Sequence, residues 1–133
     1  MEIKRNEATQ NRPDGDRVLD APYVFMDLPS FISQLKDEKA WEKNDRNGIT
    51  IFKSEHVAIV IAALQKGAEI KDNVVDGFFT IQMLEGNARI ITPDGDVDLA
   101  KKQIITFHPG IQHSIEAISD AIMLITNCST DSD

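Results

Sequence analysis

Residues 67–113 read GAEIKDNVVDGFFTIQMLEGNARIITPDGDVDLAKKQIITFHPGIQH, and almost every feature in this stretch is a strand or a turn. Phe78 to Leu84 is a run of aromatic, β-branched and long apolar residues that stops at Glu85-Gly86. Ala88 to Thr92 is a second run, and it stops at Pro93-Asp94-Gly95-Asp96. Asp-Gly supplies the positive φ angles of a tight turn, so this stop reads as a hairpin. Gln103 to Phe107 is a third run, closed by His108-Pro109-Gly110, and His113 stands at the mouth of a fourth that continues Ser114-Ile115-Glu116-Ala117. Short strands at this spacing predict a mainly β chain folded as an antiparallel sandwich or barrel.

Upstream, Ile49 to Lys53 and Val57 to Leu64 form two further strands joined by Ser54-Glu55-His56. The second is apolar on consecutive residues, so neither of its faces can be left in water. Either a helix covers its outer side or another subunit does, and a homodimer is the expectation. Ala121 to Ile125 is apolar on both faces too.

Tyr23 to Met26 reads as a short strand. Asp27 caps a helix over about residues 28–38, with Pro29 in its first turn and Leu28, Phe31, Ile32 and Leu35 along one face. Lys36 to Gly48 is a polar connection ending in an Asn47-Gly48 turn. Its one large apolar residue, Trp41, either docks the loop or stacks on a ligand at a rim. Residues 1–21 are polar and read as a flexible arm, with Arg17 to Leu19 available as an edge strand for a neighbour. The domain then spans residues 22–128, with the barrel over about 48–126 and a frayed tail at 129–133.

At 133 residues the chain is one domain with room for a single core. Its 22 acidic and 14 basic residues give a net charge of −8, with no basic stripe, which argues against nucleic acid or anionic lipid as partners. The lone cysteine, Cys128, excludes an internal disulfide and suggests a reducing compartment. The opening MEIKRNEATQ lacks the apolar core of a signal peptide, and Val57 to Leu64 is too short to cross a bilayer as a helix. The expectation is a cytoplasmic protein.

The spacing from Gly67 to His113 resembles the two motifs of the cupins, and is similar to small single-domain bacterial members of that superfamily. Gly67 and Gly86 stand where the first motif has its glycines, and Gly110 and His113 match the glycine and histidine of the second, with Pro109 one place late. The resemblance covers about residues 48–126. It implies a double-stranded β-helix, the antiparallel jelly-roll barrel, with one short N-terminal helix. It also implies metal ligands at positions 73, 75, 79 and 113, where this chain has Asn73, Val75, Phe79 and His113. A metal held by imidazoles and a carboxylate needs three or more converging donors, and only His113 is one.

Period-two alternation turns Asn73 and Val75 to one face. Counting back from Gly86 does the same for Phe79, Ile81 and Met83, and His113, Ile115 and Ala117 share a face as well. Asn73, Val75, Phe79, Ile81, Met83 and His113 therefore form the expected ligand pocket, mostly apolar, with Asn73 and His113 as its polar members. Such a pocket suits a small, largely apolar molecule held by one or two hydrogen bonds. His113 is a metal ligand, an acid or base, a donor to a ligand, or a histidine bonded to a nearby carbonyl. No resident cofactor is expected. A divalent metal rebuilt from Asp72, Asp76, His108 and His113 is the alternative, opposed because Asp72 points away from Asn73. Three functions compete: a small-molecule-binding module without metal, a metal-dependent dioxygenase, isomerase or decarboxylase, and a structural dimer with a filled barrel. Elemental analysis separates the first two.

Overall fold

The computed structural model describes residues 1–130. Its elements in chain order are β1 (Lys4–Asn6), β2 (Arg17–Asp20), α1 (Leu28–Asp37), α2 (Lys39–Lys43), β3 (Arg46–Lys53), β4 (Val57–Leu64), β5 (Glu69–Asn73), β6 (Gly77–Glu85), β7 (Ala88–Thr92), β8 (Gly95–Leu99), β9 (Ile104–Phe107), β10 (His113–Ala117) and β11 (Ala121–Ser129). All strand pairs are antiparallel. A five-stranded sheet in the order β3-β4-β11-β6-β9 faces a four-stranded sheet, β5-β10-β7-β8, while β1 and β2 form a separate ribbon. This is the antiparallel sandwich that the strand spacing predicted and the jelly-roll that the cupin resemblance implies.

The inward stripe of β6, Phe79, Ile81 and Met83, joins Leu64, Ile90, Ile115, Ala117 and Met123 in one core between the sheets. At Gly86 the chain turns with φ of +73°, and a side chain there would run into the Asp120 carbonyl, so only glycine fits. The hairpin at Asp94-Gly95 closes β7 onto β8 in the register Thr92 with Gly95.

Asp27 caps α1 as expected, its carboxylate accepting from the Ser30 N–H. The apolar stripe of α1 packs on the outer face of the larger sheet, against Ile49, Ile61, Ala63 and Ile122. Both faces of β4 are therefore covered within one chain at Ile61, Ala63 and Leu64, whereas Val57 to Val60 are half-buried. Of the two covers the sequence left open for that strand, the helix is the one seen over its second half.

Five expectations need correction. The connection after α1 is not all loop. Lys39 to Lys43, a run of good helix formers, makes a second helix, and the half-buried Trp41 seats it on the outer cluster. Asn47 is not a turn residue but part of β3, which thus starts earlier than residue 48. Its amide donates to the Leu35 carbonyl at 3.0 Å and to Glu38 at 3.0 Å, tying helix to strand. Residues 1–21, expected as a flexible arm, carry the β1–β2 ribbon. Arg12 reaches across to Glu38 at 2.9 Å and to the Gly48 carbonyl at 2.9 Å, and Arg17 donates to the Thr50 carbonyl at 2.7 Å. Tyr23 to Met26 pairs with no strand. At the other end β11 runs past residue 126, and the Ser129 N–H donates to the His56 carbonyl at 2.7 Å. Residues 131–133 of the expected tail lie outside the described residues.

Candidate functional site around His113

β10 begins at His113, directly after a turn in which Gly110 takes φ of +79°. His113 pairs with Asn73 across β5, but two residues on, Ile115 already pairs with Ile70. The slip is a bulge on β5. Asp72 absorbs it with φ of +54°, in the left-handed region that few non-glycine residues enter. Local bonds hold it there: its N–H donates to the Ser114 hydroxyl at 3.0 Å, and its carboxylate accepts from the Gln112 amide at 2.9 Å. Asp72 is consequently exposed, and Asn73 is brought against His113, as alternation required.

The imidazole is 2% exposed. Its ring stacks on Phe107 with centroids 4.3 Å apart and 12° between planes, and Phe79 lies tilted against it at 5.0 Å. Nδ1 is 3.1 Å from the Ile111 carbonyl oxygen, which can only accept, and Nε2 is 3.1 Å from the Asn73 amide nitrogen, which can only donate. One neutral tautomer satisfies both contacts, with the proton on Nδ1 and Nε2 accepting.

Of the six residues expected in the pocket, Asn73, Phe79 and His113 meet. Ile81 and Met83 are fully buried in the core, and Val75 packs against it. The interior face is therefore occupied by side chains at these positions. A shallow depression of about 310 Å³ lies at the start of β10, bordered by Asp72, Ile91, Thr92, Pro93, Gln112, His113 and Ser114. Ile91 and Ser114 pair across β7 and β10 on the outward side of the smaller sheet, so among the six only the buried His113 touches it. Gln112 and Phe107 went unassigned from the sequence. Phe107 could have been found by alternation from Ile105, whereas nothing local marks Gln112 as the partner of a residue forty positions away.

The metal positions implied by the cupin resemblance do not fit a metal. Val75 and Phe79 carry no donor, Asn73 turns its amide nitrogen toward the ring, and both nitrogens of His113 are engaged. No group of three or more His, Cys, Asp or Glu gathers among the described residues. His108 is exposed and sits edge-on to Phe78, and Asp76 and His56 are exposed as well.

No protein-family model matches the chain, and no curated protein matches it. Solved structures do. A cupin superfamily protein from Desulfitobacterium hafniense is 17% identical over 84% of this chain and 94% of its own, with a TM-score of 0.67. A conserved protein of unknown function from Streptococcus pyogenes is 21% identical over 86% of this chain and 93% of its own, at 0.64. A salicylate 1,2-dioxygenase from Pseudaminobacter salicylatoxidans reaches 0.71 at 12% identity over 84% of this chain, which spans only 36% of that enzyme. The chain has the cupin fold.

Proposed function

We propose that this cupin domain binds a small, largely apolar molecule without a metal, in the depression beside His113 at the start of β10. The observation that carries this reading is the imidazole itself. Held between Phe107 and the Phe79 ring, with Nε2 accepting from Asn73, it forms a buried, fixed floor beneath the depression and does not stand as a free donor to an ion. The depression's size is at the lower end of small-molecule sites, and its wall mixes apolar Ile91 and Pro93 with the polar ends of Gln112, Asp72 and Thr92. Such a wall favours a ligand of one ring or a short chain bearing one or two hydrogen-bonding groups.

The test is backbone-amide NMR with a panel of small aromatic and aliphatic alcohols, amides and carboxylates. Saturable shifts centred on residues 72, 91–93 and 112–114, weakened by Gln112→Ala, are expected. A panel that moves no signal there would remove the binding reading and leave a filled, structural barrel.

A further inference from the structure

We infer that the cleft between the two helices and the turns that follow β6 and β10 binds a small organic ammonium ion, with Lys36 as its stand-in within the chain. The cleft has a volume of about 280 Å³ and is walled by Lys36, Trp41, Glu85, Asp120, Ala121 and Ile122. It shares no residue with the depression beside His113. Four separate segments assemble it. β6 ends at Glu85, which pairs with Ile122 of β11, and the missing side chain of Gly86 lets the Asp120 backbone close in behind. Two carboxylates are thereby brought to one end of the larger sheet. α1 supplies Lys36 and α2 supplies Trp41. The Gln65 amide donates to the Trp41 carbonyl at 2.6 Å and to the Asn44 carbonyl at 3.0 Å, which fixes the end of α2.

The chemistry of the wall selects the guest. The Lys36 ammonium lies 3.2 Å from the Glu85 carboxylate, and the two side chains are 45% and 42% exposed. An ion pair this wet contributes little and exchanges readily. The Asp120 carboxylate is held in place by the Lys66 N–H at 2.8 Å, and no cation pairs with it among the described residues. The cleft therefore sets two carboxylates against one ammonium, in a chain whose net charge of −8 draws cations toward it. Beside them stands the half-buried Trp41, and an indole is the side chain that attracts a cation best.

An alkylammonium matches each part of this wall, its charge meeting the carboxylates and its alkyl part the indole. A volume just under the usual range for small-molecule sites restricts it to a short amine. A metal ion fits worse. It would gain nothing from the indole, and no group of three or more metal-ligating side chains gathers among the described residues. Lys36 shows the fit from within, since its side chain is itself an alkylammonium resting on one of the two carboxylates.

Trp41 is the only tryptophan in the chain, so its fluorescence reports on this cleft alone. The experiment titrates the full chain with butylammonium chloride, with sodium chloride at equal ionic strength and butanol as controls. A saturable change in emission with butylammonium, absent from both controls, is expected. Glu85→Gln and Asp120→Asn remove a charge while keeping the shape, and the second keeps an acceptor for the Lys66 N–H. Each is expected to weaken binding by about two- to fivefold. Lys36→Met removes the internal competitor and is expected to tighten binding by a similar factor. Circular dichroism checks the fold of every variant, and if one carboxamide variant misfolds the other decides. A flat titration overturns the inference, and so does an equal response to butanol or to sodium. Binding that ignores the carboxamide substitutions, or that Lys36→Met leaves no tighter, overturns it as well.

Discussion

The amide nitrogen of Asn73 lies 3.1 Å from Nε2 of His113, on the strand that the Asp72 bulge bends toward it. In a cupin metal centre both positions face the ion. Here they face each other, and the hydrogen bond takes up the lone pair that an ion would need.

Removing the imidazole should be expensive. His113→Ala deletes a ring packed between Phe107 and Phe79 and leaves the Asn73 amide unpaired. A loss of about 2–4 kcal/mol is expected from the cavity and the stranded polar group. His113→Phe keeps the stack and should lose less than half as much. Urea denaturation of the three proteins measures this, and equal losses for both variants would contradict the stacking role.

The link between the N-terminal ribbon and the body titrates. Burial alone would raise the Glu38 carboxyl, but hydrogen bonds from Arg12, Asn47 and Gln34, with the Arg12 charge, outweigh it and hold the group below the ordinary carboxylate range. A carboxyl depressed in the folded state binds protons more readily when unfolded. Its stabilisation is thus complete above the unfolded value of about 4.3 and is lost as pH falls through the folded one. Melting temperatures from pH 7 to pH 3 should show the wild type falling faster than Glu38→Gln at the acid end. Parallel curves would mean that the Arg12–Glu38 contact contributes nothing.

The strands and the inward stripe were legible because period two is a local property. Counting back from Gly86 placed Phe79, Ile81 and Met83 correctly without knowledge of the rest of the chain. The cap at Asp27 and the stripe from Leu28 to Leu35 were legible for the same reason. What escaped depends on residues far apart in sequence. Arg12 finds Glu38 and Asn47 only once α1 lies on the larger sheet, so nothing in residues 1–21 announces that the segment is tied down. Tyr23 to Met26 has the pattern of a strand, but a strand also needs a neighbour, and that is not written in its own residues. Alternation gives direction and not volume: Phe79, Ile81 and Met83 turn inward, and there they are packed into the core with Val75 against it.

At Gly86 the backbone itself is the constraint. Gly86→Ala must adopt φ of +73° and push a methyl into the Asp120 carbonyl. A destabilisation of about 1–3 kcal/mol is expected. Gly95→Ala, where nothing lies within 4 Å of the added carbon, pays only for the backbone angle and should be milder. Chemical denaturation of the two variants side by side checks the order.

Donors can be put back. Asn73→His, Val75→His and Phe79→Glu together would set two imidazoles and a carboxylate near His113, as the 3.1 Å and 5.0 Å contacts at positions 73 and 79 allow. Phe79 is core, so the triple variant should melt lower than its parent when metal-free. Micromolar zinc or nickel should then raise its melting temperature. No response to either ion would show that these positions do not converge closely enough to share one.

The central claim, a barrel that works without a metal, is tested most directly by the metal content of the unaltered protein, purified without chelators and measured by elemental analysis. The account predicts iron, manganese, nickel and zinc all far below one per chain, and a melting temperature indifferent to micromolar additions of each. A near-stoichiometric metal that His113→Ala removes would contradict it and put the metal-dependent enzyme in its place.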